Sequence, residues 1–268
     1  MAASEDALDA LVRSVAASPL YRGVAPELIA SVGARELGKR RTLKEAVKAT
    51  KSKLHQVAGA YFPRQDYAGW LALLERAAAG GPDDLKAACR TIMGQHASTR
   101  ERLPILDELY ARALSDLPPP RRVLDLACGL QPLAIPWMPL APDAEYFAYD
   151  IYPELAAFLN RAFPLLGVRG TAHAADVTAA PPTGHADLAM LLKALPCLEQ
   201  LDAAAGGRLF DTLDAERLLV TFPVHSLGGR RKGMVVTYDA RMERLLADRS
   251  WTVTRHEFAT ELAFLLSK

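Results

Sequence analysis

Three aspartates in the C-terminal half, Asp125, Asp150 and Asp176, lie within or directly after short apolar segments. Such segments read as buried strands of a parallel sheet, whose carboxyl ends meet at the edge where open α/β sheets bind ligands. We therefore expect the three carboxylates to line one pocket. Asp150 is suited to accept hydrogen bonds from ribose hydroxyls. Asp176 is suited to accept a hydrogen bond from an adenine amino group while Val177 packs on the adenine ring.

The turn after the first of these strands carries a single glycine, Gly129. A dinucleotide site needs three glycines in the spacing G-x-G-x-x-G so that the backbone can approach a pyrophosphate, and that spacing is missing. The pattern favours a nucleoside ligand without a pyrophosphate, of which S-adenosylmethionine is the common one. The alternative is a core strand with a chance aspartate and a turn glycine.

Two further segments are expected near this pocket. The segment 96–102, with the sequence HASTRER, precedes the sheet. An arginine there can pair through two hydrogen bonds with the methionine carboxylate. The alternative is a helix start capped by Ser98 or Thr99. Lys193 follows the fourth predicted strand, where the methyl donor should face its acceptor. It either holds the substrate or is a strand-end charge in solvent.

Positive charge is concentrated locally, although the net charge of the chain is only +1. Between Arg35 and Lys53, eight Lys or Arg residues stand against two Glu, a balance of +6. Lys44, Lys48, Lys51 and His55 recur at helical spacing and share one face, and we call its three lysines the basic stripe. A merely solvated face is the alternative, but such faces usually mix both signs. We therefore favour a polyanion-binding surface.

A second basic segment, 225–234, directly follows the fifth predicted strand. It lacks the G-x-x-x-x-G-K-[ST] spacing of a Walker phosphate loop. At the carboxyl edge of the sheet it would face the same pocket and contact phosphates of the acceptor, whereas by itself it is an ordinary surface loop. Two basic elements beside one pocket favour a nucleic-acid acceptor. The residues assigned to this contact are Ser226, Arg230, Arg231, Lys232 and Met234.

The elements that must position these residues change character at the triple proline 118–120. Before it, apolar spacings of three and four predict a helical bundle, with Thr42 and Glu45 as a capping box. After it, strands and helices alternate, which predicts a parallel sheet. The predicted helices are 7–17, one from Pro26, one from 43 to 58, 67–79, 83–93, 99–114, 153–166 and 199–213. The predicted strands are 122–127, 145–151, 170–175, 186–192 and 217–222, with a closing hairpin at 251–257 and 261–266.

Composition limits the class of protein. The chain has 268 residues, half of them hydrophobic, enough for one large α/β domain with a smaller appendage. Its three cysteines are far apart, so neither a disulfide framework nor a zinc site is indicated. There is no cationic apolar leader and no apolar run of membrane-spanning length. We expect a soluble protein of the reducing cytoplasm, without a metal and without a membrane partner.

Several motifs together resemble a known family. They are Lys53-Leu54-His55 with Gly59-Ala60-Tyr61, the HASTRER segment, 125–132, Leu192-Lys193 with Leu195-Pro196, Phe222-Pro223 with 226–234, and Thr260-Glu261-Leu262. Over nearly the whole chain these match the aminoglycoside-resistance 16S ribosomal RNA guanine-N7 methyltransferases of the Arm/Kgm type. The resemblance implies a Rossmann-like class I sheet that uses S-adenosylmethionine, with a helical N-terminal extension. It also implies the 30S subunit as partner. We expect the extension at 1–117 and the methyltransferase domain at 118–268, in a monomer.

The resemblance also assigns roles to individual residues. Positions that line the cofactor pocket are Phe62, Arg102, Ala127, Gly129, Asp150, Asp176, Val177 and Leu192, with Gln200 the least secure, and we add His96 and Ser98 from the HASTRER segment. The basic stripe and 226–234 fall where the family grips RNA. Lys193, Glu199 and Glu261 are the catalytic candidates. The chain departs from relatives at Arg231, where they often have Gly, and in the apolar, proline-rich turn 135–142.

The chemistry of guanine N7 sets the expected mechanism. N7 has a free lone pair and no proton, so its attack on a sulfonium methyl needs alignment rather than a general base. Since side chains cannot enter the RNA major groove, the base should be flipped into the pocket. A carboxylate, Glu199 or Glu261, would then stabilise the positive charge of the methylated base. Adenine N1 is an open alternative target. The rival functions are a small-molecule methyltransferase and a catalytically silent RNA-binding protein.

Overall fold

The computed structural model describes residues 2–56, 65–224 and 234–268. Within these ranges the chain forms eleven α-helices and seven strands. The helices are α1 Ala2–Ala16, α2 Pro26–Leu37, α3 Leu43–Leu54, α4 Tyr67–Gly80, α5 Pro82–Met93, α6 Ala97–Arg102, α7 Leu106–Ala113, α8 Pro153–Ala162, α9 Leu195–Leu201, α10 Ala205–Thr212 and α11 Met234–Leu246. The strands are β1 Arg122–Leu126, β2 Glu145–Asp150, β3 Arg169–Ala174, β4 Ala186–Leu192, β5 Ala215–Pro223, β6 Thr252–Glu257 and β7 Glu261–Ser267.

The strands join in one sheet with the order β3-β2-β1-β4-β5-β7-β6. The first five strands are parallel, and β7 runs antiparallel to both β5 and β6. The chain moves outward from β1 to β3 and then returns to place β4 on the other side of β1. Open sheets bind ligands in the crevice beside such a reversal, at the carboxyl ends of the strands. The predicted α/β class with a closing hairpin is confirmed.

The start of α3 shows how local sequence fixes an element that carries the basic stripe. Thr42 Oγ1 accepts a hydrogen bond from the Glu45 amide at 3.2 Å, and Glu45 Oε2 accepts from the Thr42 amide at 3.3 Å. This reciprocal capping box, which the sequence predicted, satisfies two amides that the helix leaves open. The helix ends at Leu54. The predicted continuation at Val57 and Ala58 lies outside the described residues.

The hydrophobic packing divides the N-terminal helices into two groups. Helices α1 to α3 bury their apolar faces against one another and against Leu201 of α9. Helices α4, α5 and α7 instead share a cluster with one face of the sheet, in which Leu74, Ile92 and Tyr110 lie with Tyr146. The opposite face of the sheet is covered by α9, α10 and α11. The single domain boundary at 117 stays a prediction.

Two predicted helices are interrupted in the structure, and one observed helix was not predicted. The helix predicted at 99–114 is broken at Leu103–Ile105 by a 3₁₀ turn containing Pro104, which cannot donate a helical hydrogen bond. The helix predicted at 199–213 is two helices, because the Asp202 side chain accepts from the Ala204 amide and interrupts the run. Helix α11 was not predicted, since its apolar stripe directly follows the basic segment. Among the described helices, none has the length and apolar character to cross a membrane.

Candidate active site

A cavity opens at the carboxyl ends of β1, β2 and β4, beside the reversal in strand order. Helices α6 and α9 close its sides. The residues predicted for the cofactor pocket that line this cavity are His96, Ser98, Arg102, Ala127, Gly129, Asp150, Asp176, Val177 and Leu192, and the catalytic candidate Lys193 joins them. Residues from five separate stretches of sequence therefore meet at the predicted edge of the sheet.

The turn after β1 fixes one end of the cavity. Ala127 and Gly129 both have left-handed backbone conformations, with φ of 52° and 54°. This turns the Gly129 amide toward Asp150, whose Oδ2 accepts its hydrogen bond at 2.8 Å, while Oδ1 accepts from the Ile151 amide at 2.7 Å. Burial raises the pKa of Asp150, and these amide hydrogen bonds oppose that rise. Each carboxylate oxygen has a second lone pair, so Asp150 is oriented and still able to accept from a ligand.

Asp176 provides an acceptor that the described residues leave unused. Its Oδ1 accepts hydrogen bonds from the amide and the hydroxyl of Thr178 at 2.9 and 2.6 Å. Its Oδ2 is buried and has no hydrogen-bond partner among the described residues. A buried acceptor of this kind is costly unless something donates to it. The position therefore fits a ligand that donates an N–H or O–H group.

Asp125 does not share this cavity, which corrects the expectation that three aspartates line one pocket. It is fully buried in β1, where Oδ2 accepts a hydrogen bond from the Tyr146 hydroxyl at 2.7 Å. Burial raises the pKa of Asp125 to about 7, although the Tyr146 hydrogen bond and the Arg102 charge oppose the rise. Two of the three aspartates reach the cavity because they end or follow their strands, whereas Asp125 precedes the last residue of its strand.

The HASTRER segment forms α6 and places Arg102 in a buried ion pair. Arg102 Nε and Nη2 donate to the two carboxylate oxygens of Glu261 at 2.8 and 3.0 Å. Nη1 donates to the side-chain oxygen of Gln131, whose amide in turn donates to the Tyr110 hydroxyl. Sequence reasoning placed an arginine of this segment on a methionine carboxylate but missed Glu261 and Gln131 as its protein partners. A guanidinium has five N–H donors, so the three bonds leave others for the cavity that Arg102 lines.

Lys193 is held by the same network. It has a left-handed backbone conformation with φ of 60°, and its Nζ donates to the Ser98 carbonyl at 2.6 Å and to Glu101 Oε2 at 2.9 Å. The same nitrogen lies 3.5 Å from Glu261 Oε1. His96, on the same wall, has a pKa lowered to about 4 by burial and by neighbouring cations, so its ring is neutral at pH 7. Lys193 is therefore fixed at the cavity wall rather than free in solvent.

Three assigned residues lie away from the cavity. Glu261 is fully buried behind Arg102 and Lys193, which outweigh the effect of burial and lower its pKa, so it does not reach a base. Glu199 is half-buried and lies 3.4 Å from Arg241 of α11, and burial is the main cause of its raised pKa. Gln200 is exposed. Glu199 and Gln200 are outside the cavity lining because α9 turns its Cys197, Leu198 and Leu201 side toward the cavity.

A buried anion, Glu36, pairs with two other cations of the segment 35–53, and charge counting did not reveal its burial. Lys44 and Lys48 are exposed and Lys51 is half-buried. Glu36, only 1% exposed, lies 3.1 Å from Arg40 and 3.2 Å from Lys53. Burial acts to raise the pKa of Glu36, but hydrogen bonds from Lys53 and Arg40 outweigh it and lower that pKa. One of the two glutamates in this segment thus serves to hold cations at the surface.

Several assigned residues cannot be placed. Phe62, Ser226, Arg230, Arg231 and Lys232 lie outside the described residues. Met234 begins α11 and is half-buried. The predicted contact of these residues with RNA stays a prediction.

A possible metal-ligand group lies at the opposite end of the sheet. His185, Asp187 and Glu216, near the amino ends of β4 and β5, place one ligand atom each within 4.8 Å of one another. Asp187 Oδ2 already accepts from the amides of Arg121 and Arg122 at 2.6 and 2.9 Å. These bonds give Asp187 a structural role in joining β1 to β4. The prediction that the chain binds no metal is left untested.

The sheet order, the reversal beside β1 and the cavity with acids at the strand ends are those of a Rossmann-like methyltransferase fold. The family model described as "Ribosomal RNA methyltransferase (FmrO)" matches residues 17–265, and the chain belongs to that family. The resemblance inferred from the motifs is confirmed.

Curated relatives and solved structures agree with this assignment. A 16S rRNA (guanine(1405)-N(7))-methyltransferase of Frankia casuarinae is 43% identical, over 98% of this chain and 95% of that protein. One from Micromonospora echinospora is 37% identical, over 99% of this chain and 98% of that protein. The crystal structure of the 16S rRNA methyltransferase RmtF in complex with S-adenosyl-L-homocysteine superposes with a TM-score of 0.82 at 34% identity, covering 97% of this chain and 98% of the other.

Proposed function

We propose that this protein transfers the methyl group of S-adenosylmethionine to N7 of guanine 1405 in 16S ribosomal RNA. The observation that carries the proposal is a cavity with oriented acids at the strand ends, in a chain whose relatives over nearly its whole length are named for that reaction. Modification of this position in the 30S subunit would place a methyl group and a positive charge where aminoglycosides dock. The expected phenotype is aminoglycoside resistance, and the expected location is the cytoplasm.

The residues of the cavity fit the proposed cofactor. Asp150, fixed by two amides, is placed to accept from the ribose hydroxyls, and the unused Oδ2 of Asp176 from the adenine amino group. Val177 would pack on the adenine ring. The remaining N–H groups of Arg102 would bind the methionine carboxylate. When bound, the cofactor supplies a methyl group on a positively charged sulfur, and the protein contributes its orientation and the exclusion of water.

The acceptor needs no proton removed, so the residues of the cavity wall need only align it with the methyl donor. Among the described lining residues, His96 is buried and Lys193 is engaged by Glu101 and by the Ser98 carbonyl. Guanine N7 attacks with its own lone pair, so this arrangement suits it. The target base would enter the cavity after flipping out of its helix.

Recognition of the subunit is proposed for the helical extension and the basic segment at 226–234. The basic stripe lies on α3, and α1 to α3 pack against Leu201, which also lines the cavity. This contact brings the helical extension close to the cavity and supports the proposal that its cations act beside the active site. Phosphate contacts from such a surface would position the subunit without reading its sequence. We further propose a monomer with an extension at 1–117 and a catalytic domain at 118–268.

The test is methylation of purified 30S subunits, followed by mapping of the modified nucleotide by primer extension. The wild-type protein should modify guanine 1405, and Asp150→Ala should lose at least about 95% of the transfer rate, because ribose contacts of roughly 2 kcal/mol are removed. Asp248→Ala changes an exposed aspartate and is the matched control. Modification of a neighbouring adenine would contradict the assigned atom. Transfer to small molecules only, or subunit binding without cofactor binding, would favour the rival functions.

A further inference from the structure

The cavity wall carries two cations where a cationic ligand is expected. Arg102 and Lys193 both line it, and both side chains are almost entirely buried. S-adenosylmethionine has a positive charge at its sulfur, whereas the product S-adenosylhomocysteine has a neutral thioether there. In a cavity with little water, unmatched cations repel another positive charge over several ångströms. Two unpaired cations would therefore favour the product over the cofactor.

Two carboxylates match these cations. Glu261 accepts two hydrogen bonds from Arg102 and lies 3.5 Å from Lys193 Nζ, and Glu101 accepts from the same Nζ at 2.9 Å. Two positive and two negative charges thus form one network that joins α6, the end of β4 and the start of β7. Neither carboxylate lines the cavity, so each acts on the cavity through the cation that it neutralises.

We propose that Glu261 and Glu101 are positioning residues that set the preference of this cavity for the charged cofactor over the neutral product. They cancel the charges of Arg102 and Lys193, and they keep Lys193 Nζ on α6. The inference rests on the proposed cofactor and adds a role for two acids that do not contact it. Exchange of product for cofactor follows each turnover, so this preference governs how readily the enzyme is inhibited by its own product.

The experiment measures the dissociation constants of S-adenosylmethionine and S-adenosylhomocysteine by calorimetry. The quantity compared between variants is the constant for S-adenosylmethionine divided by the constant for S-adenosylhomocysteine. Glu261→Gln keeps the shape and removes the charge. The dissociation constant of S-adenosylmethionine divided by that of S-adenosylhomocysteine should then rise about tenfold, the order of magnitude expected for one unmatched unit charge at an effective dielectric constant of about 20. Glu101→Gln should raise it about threefold, since Glu101 is 38% exposed and partly screened. Lys193→Met, which removes a positive charge, should shift the ratio in the opposite direction.

The matched control is Glu36→Gln. Glu36 is also buried and also pairs with one arginine and one lysine, but neither of these cations lines the cavity. Its substitution should leave the ratio unchanged within twofold. A merely structural role for Glu261 would weaken both ligands equally, and an unchanged ratio in Glu261→Gln or Glu101→Gln overturns the proposal.

The design separates this inference from the proposed function. If the wild-type protein binds neither ligand, the cofactor assignment itself fails. If it binds both and the ratios do not move, only the charge-matching role fails. Should Glu261→Gln not fold, Glu101→Gln and Lys193→Met decide the question, because their effects have opposite signs.

Discussion

Two buried glutamates in this protein have nearly the same partners and opposite surroundings. Glu261 pairs with Arg102 and Lys193, and all three are almost fully buried. Glu36 pairs with Arg40 and Lys53, which remain 47% and 28% exposed. The first network ends at a cavity, and the second ends at a solvent-facing helix surface. The same set of charges can therefore tune an internal site or hold cations where a polyanion can reach them.

The difference shows that the contribution of an ion pair to stability depends on the environment of each charge when its partner is removed. Removal of one partner of a fully buried pair leaves an uncompensated charge in the protein interior. Removal of the half-exposed Arg40 should cost less, because Lys53 still pairs with Glu36 and water can fill the space that Arg40 vacates at the surface. The charged groups are the same in kind, since each network contains a glutamate, an arginine and a lysine. The loss of stability on removing one partner is set by how deeply the pair is buried.

The largest expected effect comes from removing the arginine of each pair. Arg102→Ala should lower the free energy of unfolding by about 3–5 kcal/mol, because Glu261 would lose its two-bond ion pair in a fully buried site and would keep Lys193, at 3.5 Å, as its cationic partner. Arg40→Ala should lower it by about 1 kcal/mol or less, since Arg40 is half-exposed and Lys53 remains on Glu36. Urea denaturation of both variants gives the comparison. Equal losses would remove the distinction drawn between the two networks.

A third buried acid, Asp125, sharpens the comparison because it has no ion pair of its own among the described residues. Its folded pKa is raised to about 7 from an ordinary value of 3.8. Between these values the folded state holds a proton that the unfolded state has released, so stability should fall as pH rises from about 4 to about 7 and then level off. The fall attributable to this group is about 2–4 kcal/mol.

The measurement is urea denaturation of wild type and Asp125→Asn across this pH range. Asparagine keeps an acceptor for the Tyr146 hydroxyl and cannot ionise. The wild-type free energy of unfolding, taken relative to that of the variant, should decrease through the window and stay constant above it. A difference that is flat with pH would show that Asp125 ionises normally in the folded protein.

The smallest expected effect on stability comes from the basic stripe on α3, where substitution should change 30S binding instead. Reversing all three lysines of the basic stripe to glutamate should weaken 30S binding at least about a hundredfold, because phosphate contacts are replaced by repulsion. The affinity for S-adenosylmethionine should stay within twofold. Reversal of Arg76, Arg161 and Arg169 changes the net charge equally at other exposed positions and is the control. Filter binding at two salt concentrations measures the 30S affinity of the stripe variant and of the control variant. Loss of cofactor binding in the stripe variant would make α3 a structural element instead.

Much of the fold was accessible from local patterns. Buried parallel strands are near-continuous apolar runs, so β4 was predicted at its observed bounds and the other strands within two residues. The capping box predicted the start of α3, because all its atoms come from four adjacent residues. Pro104 and Asp202 broke predicted helices through hydrogen bonds that helical periodicity does not report.

The candidate site was predicted where its residues come from strand ends, and it was missed where they depend on distant partners. Asp150, Asp176 and Gly129 follow from the geometry of a parallel sheet. Glu261 was taken for a group that meets the base, because nothing in its own neighbourhood in the sequence indicates that Arg102, 159 residues away, would occupy it. Gln200 was placed at the cavity, yet the phase of α9 points it to solvent.

By itself the sequence determined the family, the order of elements, the sheet edge that binds the ligand and the concentration of positive charge on α3. These follow from composition, period and motifs that involve neighbouring residues. Only the tertiary structure decided which acids face the cavity and which neutralise cations behind it. Burial and pairing of a charge depend on residues brought together from distant parts of the chain. The spacing of residues along the sequence does not show how deeply a charged side chain is buried.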